Sequence, residues 1–124
     1  MAFNVIFGLN VTAGTDAITN DSTFSCQTKV YMEETVANGV SNQQHLVSLD
    51  ISTLKVLAMV SDQDITVETN DGTTPDDSFS LTAGVPVTFK EGDGAIFTAD
   101  VTSLYLTNSS GSNATFTLLA GLDG

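Results

Sequence analysis

Near the end of the chain stands Val101-Thr-Ser-Leu-Tyr-Leu-Thr-Asn108, then Ser109-Ser-Gly-Ser112, then Asn113-Ala-Thr-Phe-Thr-Leu-Leu-Ala120. Each flank alternates apolar and polar residues, the signature of a strand with one buried face. Leu104 and Leu106 share one face of the first flank. Ala114, Phe116, Leu118 and Ala120 share one face of the second. Turned inward together, these residues make a core stripe. The four-residue Ser-Ser-Gly-Ser link suits a hairpin loop, so 101–107 and 113–120 are expected to pair directly. Tyr105 then points the other way, with Val101, Ser103 and Thr107. It reads as a half-exposed strand residue or as an interface anchor, since Tyr is enriched at interfaces.

The same period runs upstream. His45–Ile51 and Leu54–Val60 read as two short strands with a turn at Ser52-Thr53. A single 16-residue helix over this region is the competing reading. Recurring β-branched residues, and an apolar stripe that fails past Leu54, argue against it. Asp64–Thr69 alternates as well. Asn70–Asp77 is a turn stretch, followed by strands at Ser78–Leu81 and Val85–Phe89, where Pro86 marks an edge strand or a strand start. Residues 37–42 and Glu91–Gly94 are turns.

Phe24, Cys26, Thr28, Val30 and Met32 fall on one face of an expected strand over 24–32. Residues 10–22 are polar and read as a loop. Met1–Leu9 carries Phe3, Val5, Ile6, Phe7 and Leu9, and reads as a first strand or an arm. About eight or nine strands, with turns every ~8–12 residues and no long helix, imply an all-β fold. The expectation is one domain over 1–124, an antiparallel β-sandwich, with 1–22 as a possible N-terminal arm and loop. At 124 residues and 41% hydrophobic, the chain can bury a core of Phe, Leu, Val and Ile.

The charge excludes several functions. The net charge is −12, and Lys29, Lys55 and Lys90 are the only Lys or Arg residues. Binding a phosphate backbone needs several cationic contacts, so neither nucleic acid nor an anionic membrane surface is an expected partner. Acidity of this size keeps a protein soluble and its copies apart. No run approaches the ~18 apolar residues of a membrane span. The start, MAFNVIFGLN, has no basic region before its apolar residues, so a protein made in the cytoplasm and not exported is expected.

Reactive chemistry is sparse. Cys26 is the single cysteine and His45 the single histidine. They lie on different expected strands, with no catalytic motif around either, so Cys26 reads as a small buried hydrophobe and His45 as structural. Two such residues are too few for a zinc site. Asp62, Asp64, Asp71, Asp76, Asp77 and Asp93 could offer oxygen to calcium, but they match no loop motif and read as turn formers. Asn10, Asn20, Asn108 and Asn113 open glycosylation sequons that read as incidental in so Ser- and Thr-rich a chain. The expectation is therefore no enzyme, no catalytic, cofactor or metal residues, and no cofactor.

Two segments carry a family resemblance. One is Leu49-Asp-Ile-Ser-Thr-Leu-Lys-Val-Leu-Ala-Met-Val-Ser-Asp-Gln-Asp-Ile-Thr-Val-Glu-Thr-Asn70. The other is Ala99-Asp-Val-Thr-Ser-Leu-Tyr-Leu-Thr-Asn-Ser-Ser-Gly-Ser-Asn-Ala-Thr-Phe116. They resemble small β-rich virion proteins of tailed bacteriophages, above all capsid decoration (cement) proteins with a jelly-roll-like sandwich. The resemblance spans roughly residues 45–124 and rests on a pattern of strands and turns. It implies a structural protein on the capsid exterior, bound to the major capsid protein and often trimeric. A receptor- or glycan-binding module of a tail or head fibre is the alternative. Expected interface residues are Phe3, Val5, Ile6, Phe7 and Leu9, with Tyr31 and Tyr105 after them.

Overall fold

The computed structural model describes residues 2–124. It contains ten strands: β1 (Phe3–Ala13), β2 (Asp16–Cys26), β3 (Thr28–Val36), β4 (Gln43–Leu49), β5 (Leu54–Ser61), β6 (Ile65–Thr69), β7 (Ser78–Leu81), β8 (Val87–Lys90), β9 (Val101–Thr107) and β10 (Ala114–Leu122). Two four-stranded sheets face each other, in the orders β3-β10-β5-β8 and β4-β9-β6-β7, and every pairing is antiparallel. From β3 on, the chain crosses from sheet to sheet, except at the β6–β7 hairpin. The result is a jelly roll, the eight-stranded double Greek key. β1 and β2 form a third, two-stranded sheet of their own.

The inward residues of both sheets make the core. Leu57, Met59, Phe116, Leu118 and Ala120 meet Val67, Leu104, Leu106 and Val101 across it. Phe79 and Phe97 close one side edge to face, with ring centres 5.7 Å apart. The all-β sandwich, the turns and the core stripes thus stand as expected. Pro86 precedes β8, which is an edge strand. This placement removes a donor where no ladder needs one.

Four readings are corrected. First, the 101–120 stretch is not a hairpin: β9 pairs with β4 and β6, while β10 pairs with β3 and β5. Ser109–Ser112 crosses between sheets instead. Both strands are central, bonded on both sides, and their apolar stripes face each other. Asn108, fully buried, makes the crossing possible: its side-chain amide donates to Val36 O at 2.8 Å and Ser112 O at 2.7 Å. Its burial also removes it as a glycan acceptor. Second, residues 10–22 are not a loop. They complete β1 and β2, paired from Phe3↔Cys26 to Ala13↔Asp16 around Gly14-Thr15. Gly14 has φ of 61° and Thr15 is not left-handed, the type II′ pattern of a two-residue turn.

Third, the expected strand over 24–32 is broken at Gln27, whose N–H bonds Leu122 O. Cys26 closes the hairpin sheet and Thr28 opens β3, so Phe24 and Cys26 do not share a face with Val30 and Met32. Fourth, Val101 is buried in the core rather than turned out with Tyr105, while Ser103 is covered but stays opposite the exposed Leu46. A register shift between Leu46 and Leu49 re-aims this end of the β4–β9 ladder. The strand count is ten because the N-terminal hairpin adds to the eight of the jelly roll. The expected first strand started at Met1, which lies outside the described residues.

Candidate functional site

The β1–β2 hairpin is the feature that the jelly roll does not require. In an antiparallel pair, opposed residues share a face. Phe3, Val5, Phe7, Leu9, Val11 and Ala13 of β1 therefore lie on one face, joined by Cys26, Phe24 and Ile18 of β2. The other face carries Asn4, Ile6, Gly8, Asn10 and Thr12. β2 also places Ser22, Asn20 and Asp16 on the first face, so its apolar stripe is carried mainly by β1.

Its base is seated on the body. The row Lys29–Gly121–Val56–Lys90 crosses β3, β10, β5 and β8 on the outer face of their sheet. Gly121 leaves a notch there. A Cβ at Gly121 would lie 2.7 Å from Cys26 Sγ and 3.0 Å from Val5 Cγ2, so only glycine lets the hairpin approach this closely. Further along, the Lys90 ammonium sits 5.6 Å from the centre of the Phe7 ring, within cation–π range. Val5 thus lies over β10 and β5, and Phe7 at the β8 edge. The hairpin crosses the sheet and leaves past β8.

Beyond Phe7 the hairpin stands clear of the sandwich among the described residues. Leu9 is 46%, Val11 53% and Ile18 64% exposed, all on the face that is seated at the base. Ala13 lies six residues past Phe7, so the overhang is about 20 Å at ~3.3 Å per residue. Isolated exposed apolar residues are ordinary; a continuous apolar stripe on a projecting ribbon marks an interaction surface.

The expected interface residues divide accordingly. Phe3, Val5 and Phe7 are half-buried against the chain's own body. Ile6 and Leu9 are exposed, on opposite faces of the hairpin. Tyr31 is exposed on the outer face of its sheet, beside Leu119. Its hydroxyl donates to Glu33 at 3.2 Å, and that carboxylate raises the Tyr31 pKa. Tyr105 is half-buried on the outer face of the other sheet, between Gln44 and Glu68. The two tyrosines are not one site. Val11, Ile18, Leu46 and Leu119 were missed. For Val11 the signal was present, since an apolar residue stands at every second position from Phe3 to Ala13.

A groove of about 340 Å³ opens on the other side of the sandwich, between the edge strands β3 and β4. Val30, Met32, Leu46, Val47 and Leu122 line it, and Leu46 is 81% exposed at its rim. His45 lies inside this side of the sandwich, its Nδ1 3.9 Å from Glu34 Oε1. Cys26 lies on the outer face of the opposite sheet, beneath the hairpin, so the two do not form a catalytic pair. Burial pushes the Cys26 thiol above its ordinary pKa.

Asp50 and Asp71 brace their own turns, whereas Asp62, Asp64 and Asp77, expected as turn formers, tie segments distant in sequence. Asp71 accepts from Thr73 N and Thr74 N, Asp50 from Ser52 N and Oγ, Asp62 from Thr115 N, Asp64 from Ala83 N, and Asp77 from Thr98 N. Among the described residues, no group of three or more His, Cys, Asp or Glu is placed to hold a metal ion.

No family model matches the chain, and no curated protein matches it. Among solved structures, a chain from a study of Bacillus endospore appendages, "a novel family of disulfide-linked pili", matches at 12% identity and a TM-score of 0.30. The match covers 85% of this chain and 99% of that one. Likeness at this level carries no argument about fold or function.

Proposed function

We propose that this chain is a structural virion subunit that coats the exterior of a tailed-phage capsid as an oligomer and performs no catalysis. One observation carries the reading: a compact jelly roll bears a hairpin that overhangs it by about 20 Å, with its apolar face seated at its base and bare at its tip. Such a subunit is complete in its core and incomplete on its surface, and a partner chain completes it. The resemblance of residues 45–124 to decoration proteins is what favours a capsid as the assembly. Two features support it. A rigid sandwich has little ordering entropy left to lose on docking. A net charge of −12 repels stray copies, so binding waits for a matching surface. In this reading the partner is the major capsid protein, and the oligomer is a trimer.

The test is co-sedimentation of the full chain with mature heads stripped of their accessory proteins, from the phage that encodes it. Saturable binding at hundreds of copies per head is expected. Absence of binding, or a few copies at the tail vertex alone, overturns the proposal.

A further inference from the structure

The two large sheets end in four outermost strands, β3 and β8 in one and β4 and β7 in the other. A free edge can pair with any extended chain it meets, and proteins guard such edges with short strands, charges or proline. β7 and β8 are four residues each; Asp76 and Asp77 precede β7, while Pro86 precedes β8 and Lys90 ends it. β3 carries Lys29, Glu33 and Glu34. β4 is different. Over its seven residues, Gln43–Leu49, it has no Lys, Arg, Asp, Glu or Pro. Its register shift comes only after Leu46, so Gln43–Leu46 run regularly against Leu106–Ser103. Leu46, 81% exposed, is the barest large apolar side chain among the described residues.

We propose that the free edge of β4 receives an extended segment of a different, partner protein, added as a fifth strand to the β4-β9-β6-β7 sheet, with apolar side chains at alternate positions and a basic side chain beside Asp50. This rests on the reading of the chain as a subunit that a partner completes, and adds the receiving edge and the chemistry of what it receives.

The groove beside this edge sets what the segment carries. Val30, Met32, Val47 and Leu122 give it an apolar lining, suited to the apolar side chains of the incoming strand. Strand addition suits a narrow surface, because backbone bonds supply the affinity and pockets for alternate side chains supply the choice. Gln43 Oε1 and His45 Nε2, on the inward side of β4, are buried without a hydrogen-bond partner among the described residues. Buried polar atoms are ordinarily satisfied, so this edge is unfinished in hydrogen bonds as well as in apolar cover.

Charge selects the occupant. Among the described residues, Asp50 is the one charged side chain lining the groove. Its Oδ1 accepts from Ser52 N and Oγ, which leaves Oδ2 to a ligand. Those bonds hold its pKa below the ordinary value, so the carboxylate is ionised at neutral pH. In a chain of net charge −12, a cation is the complement. A second copy does not bring one. Its Lys29, Lys55 and Lys90 lie within strands of the folded sandwich, and Lys55 and Lys90 pair with Asp123 and Asp93. Two such acidic copies also repel each other. A different chain, with Lys or Arg in an extended apolar segment, brings the cation without that repulsion.

The test uses the full chain and two synthetic peptides, acetyl-Lys-Val-Thr-Val-Thr-Val-amide and its counterpart with Glu in place of Lys. Amide hydrogen exchange followed by NMR should show the β4 N–H groups turned away from β9 slowing on addition of the Lys peptide. The Glu peptide should bind about threefold or more weakly, since an attraction is lost and a repulsion gained. Asp50→Asn should bring the two peptides close to equal affinity. Leu46→Lys should abolish the protection, because it puts a charge on the edge. Leu46 is exposed, so circular dichroism and melting should be unchanged; Leu46→Ser serves if they are not. Protection on β3 or the hairpin in place of β4 overturns the edge. Equal affinities in the wild type, or a preference that survives Asp50→Asn, overturn the basic partner. No protection by either peptide at about 1 mM, the weak end of specific binding, overturns the inference. A wild type that dimerises in analytical ultracentrifugation, with β4 already protected, makes a second copy the occupant and overturns it too. Heads that bind the chain without slowing exchange in β4 would leave the capsid proposal standing and this one refuted; a Lys peptide bound at β4 of a chain that ignores heads would do the reverse.

Discussion

Gly121→Ala should lift the hairpin off its seat. The added methyl carbon would lie 2.7 Å from Cys26 Sγ, 3.0 Å from Val5 Cγ2 and 3.1 Å from Val56 Cγ1. Optimal contacts between such atoms are about 3.5–4.0 Å, so the neighbours must retreat by roughly 1 Å. Val56 is fixed in the β5 ladder, flanked by β10 and β8. The hairpin is held at one end only and is the part that gives. Overpacking of this kind costs about 1–3 kcal/mol. Cys26 reports the movement, because its side chain is fully covered when the hairpin is seated. If labelling by a thiol reagent requires local opening, a shift of 1–3 kcal/mol in that opening raises the rate roughly 5- to 150-fold. The effect is reinforced by chemistry, since release from burial returns the thiol toward its ordinary pKa and increases the reactive thiolate. Gly121→Ala combined with Val5→Ala removes one of the clashing atoms and should recover part of the protection. A Gly121→Ala protein that labels as slowly as the wild type would refute the seat, and with it the path of the hairpin past β8.

Phe116→Ala should cost about 3–5 kcal/mol in denaturant unfolding, since Phe116 is the largest fully buried side chain and faces the other sheet; wild-type stability would mean that the β10 stripe does not fill the core. Asn108→Ala should cost about 1–3 kcal/mol, because it strands the buried carbonyl of Val36 and removes a bond to Ser112 O, and thermal melts compared with Asn113→Ala give the contrast. Asp50, Asp71 and Asp93 have pKa values held below the ordinary 3.8 by hydrogen bonds, from Ser52 to Asp50, Thr73 to Asp71 and Lys90 to Asp93. Depressed folded-state values contribute stability that is present above pH 3.8 and lost as the pH falls through the lower folded values. The melting temperature should therefore fall on that acid limb, and Asp71→Asn should make the limb shallower; a pH-independent melt below 3.8 would contradict this.

The sequence by itself determined the fold class, the turns and the inward faces. Alternation has a period of two whatever the partner strand is, so Leu104, Leu106, Phe116 and Leu118 were legible as core from spacing alone. The Asp-, Asn- and Gly-rich turns were legible because those side chains bond the backbone within two or three residues, as Asp71 does with Thr73. Pairing was not legible. A four-residue link with apolar flanks serves a hairpin within one sheet or a crossing between two, and the alternation is the same in both. The choice was made by long-range hydrogen bonds: β10 to β3 and β5, and Asn108 to Val36, 72 positions away. The N-terminal hairpin was hidden for a related reason. Asp16, Thr19, Asn20 and Asp21 look like a loop because β2 has no core to face, and a strand in water keeps no apolar stripe of its own. Only the tertiary structure showed that Gly121 makes the notch for Val5 and Cys26, and that the ribbon seated there carries its bare face away from the groove between β3 and β4. Both facts depend on residues a hundred positions apart meeting across a sheet, which no local pattern encodes.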